Sequence, residues 1–365
     1  MKFWQGKKVL ITGHTGFKGS WLSLVLQQAG ADLIGFALPP PTNPNLFTLA
    51  NISQGMTSLF GDIRDFDQVL AVFKQHQPEI VIHMAAQPLV RYSYKEPVET
   101  YATNVMGTIH VLEAARQTSS VKTIVNVTTD KCYDNKEWHW GYRENDRLGG
   151  YDPYSNSKAC AEMVTSAYRT SYFNSTAIGL ASARAGNVIG GGDWAEDRLI
   201  PDIIRACMAK SPVSIRNPNA FRPWQHVMEP LSGYLVLAEK LYENPSVYAD
   251  AWNFGPDEND VQPVSWIADH IVKLWGEQAH WNLDQGSHLH EATYLKLDCA
   301  KSKSLLGWQP RWNLEKGLQE TVNWYQAFSA GSDMRDKTIE QIRHFFCNNP
   351  QMPISEFILF ETENH

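Results

Sequence analysis

The run Asp152-Pro153-Tyr154-Ser155-Asn156-Ser157-Lys158 sets a phenol and an amine four residues apart. Asp at an N-cap position and Pro at the first helical position predict that a helix begins here. The spacing then puts Tyr154 and Lys158 one turn apart on a single face. An ammonium beside a phenol lowers the phenol pKa from its free value of about 10. That makes the tyrosine a general base for a hydroxyl and leaves the lysine able to hold a ribose as well. Such a Tyr-x-x-x-Lys spacing is common by chance on exposed helices, so its meaning depends on its surroundings. Ahead of it, the apolar run Thr123-Ile124-Val125-Asn126-Val127 ends in Thr128-Thr129-Asp130-Lys131-Cys132-Tyr133. Polar residues at the carboxyl end of a central parallel strand face the ligand crevice. Two hydroxyls, a carboxylate and an amine there suffice to bind a sugar and to move protons; the bland alternative is an ordinary polar loop.

A second constellation could seat a cofactor. The strand ending at Thr12 runs into Gly13-His14-Thr15-Gly16-Phe17-Lys18-Gly19 and then into helical residues. Glycines so placed allow a tight turn and close approach of backbone N–H groups to a pyrophosphate, and the helix N-terminus adds partial positive charge. The spacing is GxxGxxG rather than GxGxxG, and any tight strand-to-helix turn could use three glycines. The strand before and the helix after favour a dinucleotide loop. Two further strand ends fit the same pocket. In Gly61-Asp62-Ile63-Arg64-Asp65 a carboxylate could accept from an adenine amino group, or Asp62 could merely cap the next helix. In His83-Met84-Ala85-Ala86-Gln87 the small residues let the backbone pass close to a flat ligand, or simply pack strand on helix. NAD-binding sheets of this kind usually carry Asp or Glu at the end of the second strand. Here that region reads Ile34-Gly35-Phe36-Ala37-Leu38-Pro39, and His14 and Lys18 could suit a 2′-phosphate. NAD against NADP is open on these residues.

The elements that must hold these groups follow from periodicity. Residues 8–12, 32–37, 57–61, 79–84 and 123–128 read as buried strands, with helical spacing over 20–28, 69–75 and 105–116. Strands alternating with helices predict βαβ units, hence an α/β fold with a Rossmann-type, doubly wound parallel sheet. The Pro-rich 39–45 and the aromatic, charged 138–150 read as loops. After about Arg184 the texture changes to helices with Pro- and Trp-rich connections. We therefore expect a dinucleotide domain over 1–185 and a smaller mixed α/β substrate domain over 186–365, with segments free to cross and ligand in the crevice between them. A terminal helix is expected near 337–346. Candidate phosphate grips in this half are Arg184, Arg198, Arg205 and Arg222, the last within Arg222-Pro223-Trp224-Gln225-His226-Val227.

Bulk properties narrow the class. A formal charge of −7 argues against broad nucleic-acid binding and requires a local cationic cluster for any anionic substrate. The five cysteines show no CxxC pair, which favours reduced thiols in a cytoplasmic setting and suggests no zinc site or other metal. The basic start has no apolar run behind it that could serve as a signal peptide, and no stretch is long enough to span a bilayer.

Together these strings resemble the extended short-chain dehydrogenase/reductase family, in its nucleotide-sugar dehydratase and epimerase group. The strings that carry the resemblance are Gly13 to Trp21, Thr129 to Tyr133, Arg184-Ala185-Gly186-Asn187-Val188-Ile189-Gly190-Gly191-Gly192-Asp193-Trp194 and Arg222 to Val227. The resemblance extends to Leu305-Leu306-Gly307-Trp308-Gln309-Pro310 and Thr321-Val322-Asn323-Trp324-Tyr325. It implies an NAD-dependent lyase acting on CDP-glucose, a step toward deoxysugars of bacterial surface polysaccharide such as lipopolysaccharide O-antigen. The sugar is oxidised at C4, loses water across C5 and C6, and regains the hydride at C6. In that scheme Tyr154 takes the 4-hydroxyl proton, Thr129 hydrogen-bonds the sugar oxygen and Asp130 protonates the departing 6-hydroxyl. The cofactor contacts it implies are Gly13 to Gly19 (Gly13, His14, Thr15, Gly16, Phe17, Lys18, Gly19), Asp62, Ile63, Ala85, Ala86, Gln87, Asn104, Thr128, Tyr154 and Lys158. Substrate contacts are Thr129, Asn187, Arg198, Leu199, Arg222 and His226, and the expected partner is a second copy of the chain. Lys131 departs from the dTDP-glucose dehydratases, which carry Asp-Glu here with the Glu removing the C5 proton. A lysine could do so only with a pKa depressed from about 10.4 toward 7; as an ammonium it could stabilise the enolate instead. The competing readings are a nucleotide-sugar 4-epimerase and a dinucleotide-sensing regulatory protein without chemistry.

Overall fold

The computed structural model of the protein describes residues 2–276, 279–284, 286 and 294–347. Its centre is a parallel sheet of seven strands: β1 (Lys8–Thr12), β2 (Asp32–Ala37), β3 (Thr57–Phe60), β4 (Ile80–His83), β5 (Thr123–Val127), β6 (Gly179–Ala185) and β7 (Ala251–Phe254). They lie in the order β7-β6-β5-β4-β1-β2-β3. Successive side chains of a strand point to opposite faces, and here both faces are dry. Val9, Ile11, Ile80, Ile82, Val125, Ala181 and Ala183 enter one core. Leu10, Val81, Ile124 and Leu180 enter the other. This is why the strands read as continuous apolar runs rather than as alternations.

On the second face pack α2 (Phe66–His76) and α3 (Gly107–Arg116), through Val69, Phe73, Val111 and Leu112. The first face takes α1 (Phe17–Gln28) together with elements of the second half. Asp152 caps α4 (Pro153–Tyr168) by accepting the Ser155 N–H at 2.9 Å, with Pro153 at its first position, as the sequence predicts. Asp65 rather than Asp62 caps α2, accepting from the Gln68 N–H at 3.1 Å.

The second half supplies α5 (Leu199–Met208), α6 (Met228–Glu243), α7 (Val264–Trp275), α8 (Leu314–Ser329) and α9 (Met334–Cys347). The boundary near residue 185 does not cut the core. β7 returns to pair with β6, Trp252 opposite Ala183, and α6, α8 and α9 share one apolar core with α1. A four-residue strand isolated among helices offers no period to read, so β7 escapes sequence analysis. Three small strand pairs complete this half: Val188–Ile189 with Gln225–His226, Phe221–Pro223 with Val261–Pro263, and Val213–Ile215 with Trp281–Leu283. The terminal helix runs over Met334–Cys347, and the part of the tail beyond it lies outside the described residues. No helix among the described residues is long and apolar enough to cross a membrane.

Candidate active site

Strand order reverses between β1 and β4, and a crevice opens at the carboxyl ends of strands at such a point. Here lies a cavity of about 1720 Å³. Single small-ligand pockets run to roughly 300–1,000 Å³, so this one has room for a dinucleotide and a second ligand.

Its β1–β4 end is made of backbone. Gly13 has φ +80, and a Cβ on it would lie 2.8 Å from the Ala85 N; a Cβ on Gly19 would lie 2.1 Å from the Gly13 carbonyl oxygen. Thr12 locks the two strand ends together. Its hydroxyl shares a 2.6 Å hydrogen bond with His83 Nδ1 and accepts from the Met84 and Ala85 N–H groups at 3.1 and 3.2 Å. Gly13, Thr15, Gly16, Phe17, Lys18 and Gly19 line this end, as do Ala85, Ala86, Asp62 and Ile63. Asp62 is clasped by Arg64, whose Nη2 lies 2.6 Å from it, and that contact holds the carboxyl below its usual range.

Four residues expected here or nearby stand outside the walls. The His14 imidazole turns inward and hydrogen-bonds Ser58 Oγ at 2.7 Å, filling the space over Gly35, where a Cβ would lie 2.4 Å from its ring. Burial pushes its pKa down to about 4, so it offers no charge to a phosphate. Asn104 receives the Gln87 N–H at 2.9 Å and donates to Ser157 Oγ at 2.9 Å, while Gln87 donates to Thr100 at 2.9 Å. Asn104 thus braces the loop after β4 against α4, and Gln87 braces it against the short helix Pro97–Tyr101. His226 is buried between Trp21 and Trp312, with ring centroids 5.7 and 4.9 Å away, and burial drives it down to about 3. None of the four is a cavity wall; each satisfies a buried polar group instead.

At the β5 end, Thr128, Asp130, Lys131, Tyr154 and Lys158 line the cavity together. Thr129 is not a wall; its hydroxyl donates to Asp130 Oδ1 at 3.0 Å and is hydrogen-bonded with the Tyr154 phenol. Lys158 donates to the Val127 carbonyl at 3.3 Å, and burial lowers it to about 8. Tyr154 differs from expectation. Burial pushes it up to about 12, and the Thr129 hydrogen bond, not Lys158, is the main group opposing that rise. Asp130 is almost wholly buried, its Oδ2 has no hydrogen-bond partner, and burial raises its pKa despite Lys131 and Arg222. Gly186 makes room for it: a Cβ there would lie 2.0 Å from that oxygen. Lys18 reaches toward this end and not toward β2. Its Nζ donates to Tyr234 Oη at 3.1 Å, and burial with Lys158 and Arg198 nearby pulls it down to about 7.

The second half closes the cavity with Asn187, Arg198, Leu199, Arg205 and Arg222. Arg198 is oriented by Asp193 at 2.8 Å and Arg222 by the Phe221 carbonyl at 2.8 Å. Arg184 is not a ligand grip, because its guanidinium is buried in an ion pair with Glu162 at 2.8 Å. Among the described residues no group of His, Cys, Asp or Glu side chains could hold a metal ion. Residues that sequence reasoning passed over include Glu162, Tyr234 and Ser93, which accepts the Tyr154 N–H at 3.1 Å. Only Glu162 left a signal, four residues beyond Lys158 on the same helical face.

The family model described as GDP-mannose 4,6 dehydratase matches residues 10–321. The chain belongs to that family. The CDP-glucose 4,6-dehydratase of Salmonella typhimurium is 57% identical over 337 residues, covering 91% of this chain and 94% of that protein. A dTDP-glucose 4,6-dehydratase of Xanthomonas campestris is 26% identical over 87% of this chain and 92% of its own length. Among solved structures, the dTDP-glucose 4,6-dehydratase of Bacillus anthracis in complex with NAD superposes with a TM-score of 0.74 at 23% identity, covering 90% of this chain and 99% of that one. The epimerase Mth375 of Methanothermobacter thermautotrophicus gives 0.77 at 23%, covering 90% and 96%. At those identities the two structures bear on the fold, which this member of the GDP-mannose 4,6-dehydratase family shares with both dehydratases and epimerases.

Proposed function

We propose that the protein dehydrates CDP-glucose to CDP-4-keto-6-deoxyglucose with NAD as a cofactor that ends each turnover as it began. The observation that carries this reading is Asp130, a nearly buried carboxyl with an unpartnered oxygen on the wall that Tyr154 and Lys158 share. Burial keeps it protonated further up the pH scale than an ordinary aspartate, as a proton donor to a leaving hydroxyl requires. A 4-epimerase needs no such acid, and a dinucleotide sensor needs none of the three. The relative at 57% identity is named for the same reaction.

The glycine cradle fits a pyrophosphate, since it has no space for a Cβ at Gly13 or Gly19. In this reading Gly13, Thr15, Gly16, Phe17, Lys18, Gly19, Asp62, Ile63, Ala85, Ala86, Thr128, Tyr154 and Lys158 hold the cofactor. The chemistry that bound NAD supplies is hydride acceptance from sugar C4 and its return to C6. NAD is favoured over NADP because His14 is turned onto Ser58 and Lys18 onto Tyr234, which leaves neither to meet a 2′-phosphate at the end of β2.

Tyr154 takes the proton of the 4-hydroxyl, with Thr129 hydrogen-bonded to its oxygen. The Thr129 hydrogen bond and the Arg198 guanidinium favour its phenolate against burial, and oxidised NAD held in this site would add positive charge on the same side. Asp130 gives its proton to the 6-hydroxyl, which leaves as water, and Lys131 on the same wall, as the neutral amine, takes the C5 proton. Asn187, Arg198 and Arg222 grip the diphosphate, and Leu199 supplies an apolar wall. The part before residue 186 thus serves the cofactor and carries the acid–base groups, and the part after it grips the nucleotide diphosphate, with α6 and β7 lent back to the sheet. Val98, Met106, Met163 and Tyr172 are exposed on adjoining elements around α4, and we assign this apolar face to a second copy of the chain in a homodimer. Five cysteines without a disulfide suit a cytoplasmic enzyme, whose product would feed deoxysugars of bacterial surface polysaccharide, including O-antigen.

The test is a mass scan of products from CDP-, dTDP-, UDP- and GDP-sugars. Loss of water from CDP-glucose without net reduced cofactor is expected. A product of unchanged mass would favour the epimerase, and no reaction with any sugar would favour the sensor.

A further inference from the structure

We propose that Glu162 is a positioning residue of the redox centre: its buried carboxylate ties the end of β5 to α4 and supplies the counter-charge for Lys158. The inference rests on the reading of Tyr154 and Lys158 as that centre. Glu162 follows Lys158 by one turn of α4 and its side chain is 2% exposed. One carboxylate oxygen accepts from Arg184 Nη2 at 2.8 Å and from Ser182 Oγ at 2.7 Å, both on β6. The other accepts from Thr128 Oγ1 at 2.5 Å. Thr128 lies between the two residues that the catalytic side chains touch. Val127 before it receives the Lys158 ammonium, and Thr129 after it is hydrogen-bonded to Tyr154. A single carboxylate therefore sets the backbone segment against which both side chains are placed.

The ion pair is itself held from behind. Arg184 Nη1 donates to Tyr133 Oη at 2.8 Å and to the Glu144 carbonyl at 2.9 Å, and Tyr133 donates to Asn253 on β7 at 2.7 Å. Burying such a pair is seldom a net gain in stability over apolar residues of the same volume, so its value here is sought in what it orients. The charged and titratable groups around Lys158 come from every neighbouring element. They are Tyr154 and Glu162 on its own helix, Lys18 from the turn after β1, His83 at the end of β4, Cys132 after β5 and Arg184 on β6. Burial leaves His83 neutral, down to about 3, and raises the Cys132 thiol; the carboxyl of Asp130 lines the same wall, and Glu162 is the carboxylate that acts on Lys158. It opposes the fall that burial imposes on Lys158.

Glu162→Gln preserves the shape and leaves Arg184 and Lys158 as two uncompensated buried cations. The pH at which Lys158 becomes acylated in competitive labelling, read by peptide mass, should then fall by about one unit or more, the size of effect a close opposite charge produces. Glu162→Asp should restore it. Labelling of Lys158 at the same pH in folded Glu162→Gln as in the unaltered protein would overturn the proposal. Thr128→Val cuts the hydroxyl link without changing charge and guards against a Glu162 variant that does not fold. It should leave the labelling pH in place while slowing cofactor reduction by CDP-glucose about tenfold, the cost of one charge-assisted hydrogen bond. An unchanged rate would overturn the positioning role. If the unaltered protein reduces no cofactor with any nucleotide sugar, the reading of the redox centre fails, and the labelling comparison still decides whether Glu162 serves Lys158.

Discussion

Between β1 and β4 the cleft is shaped by backbone, with Gly13, Gly19 and Ala85 so close that a single added carbon has no place. Beyond β5 it is shaped by side chains whose value lies in their charge: Asp130, Lys158, Arg198 and Arg222 arrive from separate segments to line one cavity, and Lys131 and Arg222 act on the Asp130 carboxyl. The first region is one of fit and the second one of proton and charge state. They should fail in different ways when altered, binding being lost from the first and chemistry from the second.

The sharpest break is expected at the redox centre. Tyr154→Phe and Lys158→Met should each slow cofactor reduction by ~10²–10⁴-fold, the range for loss of general-base assistance. The rise in Tm on adding NAD should survive in Tyr154→Phe, because the glycine cradle is untouched. Turnover close to that of the unaltered protein in folded Tyr154→Phe would remove the phenol from the mechanism. Gly13→Ala reverses the pattern. Placing a side chain at φ +80 costs about 1–3 kcal/mol and drives a Cβ against Ala85. NAD affinity should fall about tenfold or more, since 1.4 kcal/mol is a factor of ten. Isothermal titration that finds unchanged affinity would mean the dinucleotide does not lie against this turn.

Arg222→Gln should raise KM for CDP-glucose by about tenfold, as expected for one charge-assisted hydrogen bond, with the NAD-dependent Tm shift unaffected. An unchanged KM would place the diphosphate elsewhere. The smallest effect is one of stability with pH. His83 and His226, both held near 3, are neutral in the folded protein and titrate at about 6.5 when unfolded. Their folded pKa values are depressed, so the stability they contribute is present above about 6.5 and is lost as pH falls toward 3. The slope approaches about 1.4 kcal/mol per pH unit for each histidine. Chemical denaturation at intervals down to pH 5 should show this decline, and a flat profile would mean that the buried imidazoles take up protons in place.

The backbone-shaped region was largely legible in the sequence, because glycines at Gly13, Gly16 and Gly19 between an apolar strand and a helix leave few other structures open. The start of α4 was legible for a similar reason, with Asp152 and Pro153 both acting locally. Less could be seen where depth decides. His14 looked like a loop cation and is a buried imidazole, since Gly35 on a neighbouring strand opens the space it fills. Tyr154 was expected to be lowered by Lys158 and is raised by burial, a quantity that spacing does not carry. Arg184 read as a phosphate grip because the buried partner that claims it, Glu162, is distant in sequence. β7 joined the sheet from within the presumed second domain for want of any period in four residues.

The central claim, that one cavity performs oxidation and elimination with separable groups, is tested most directly by Asp130→Asn mixed with NAD and CDP-glucose. Oxidation at C4 needs Tyr154 and not the Asp130 proton, so absorbance of reduced cofactor should rise on the enzyme and persist. Mass analysis should then show no product that has lost water. Full turnover to the dehydrated sugar by Asp130→Asn would contradict the account, because the buried carboxyl would then not be the acid on which the dehydratase reading rests.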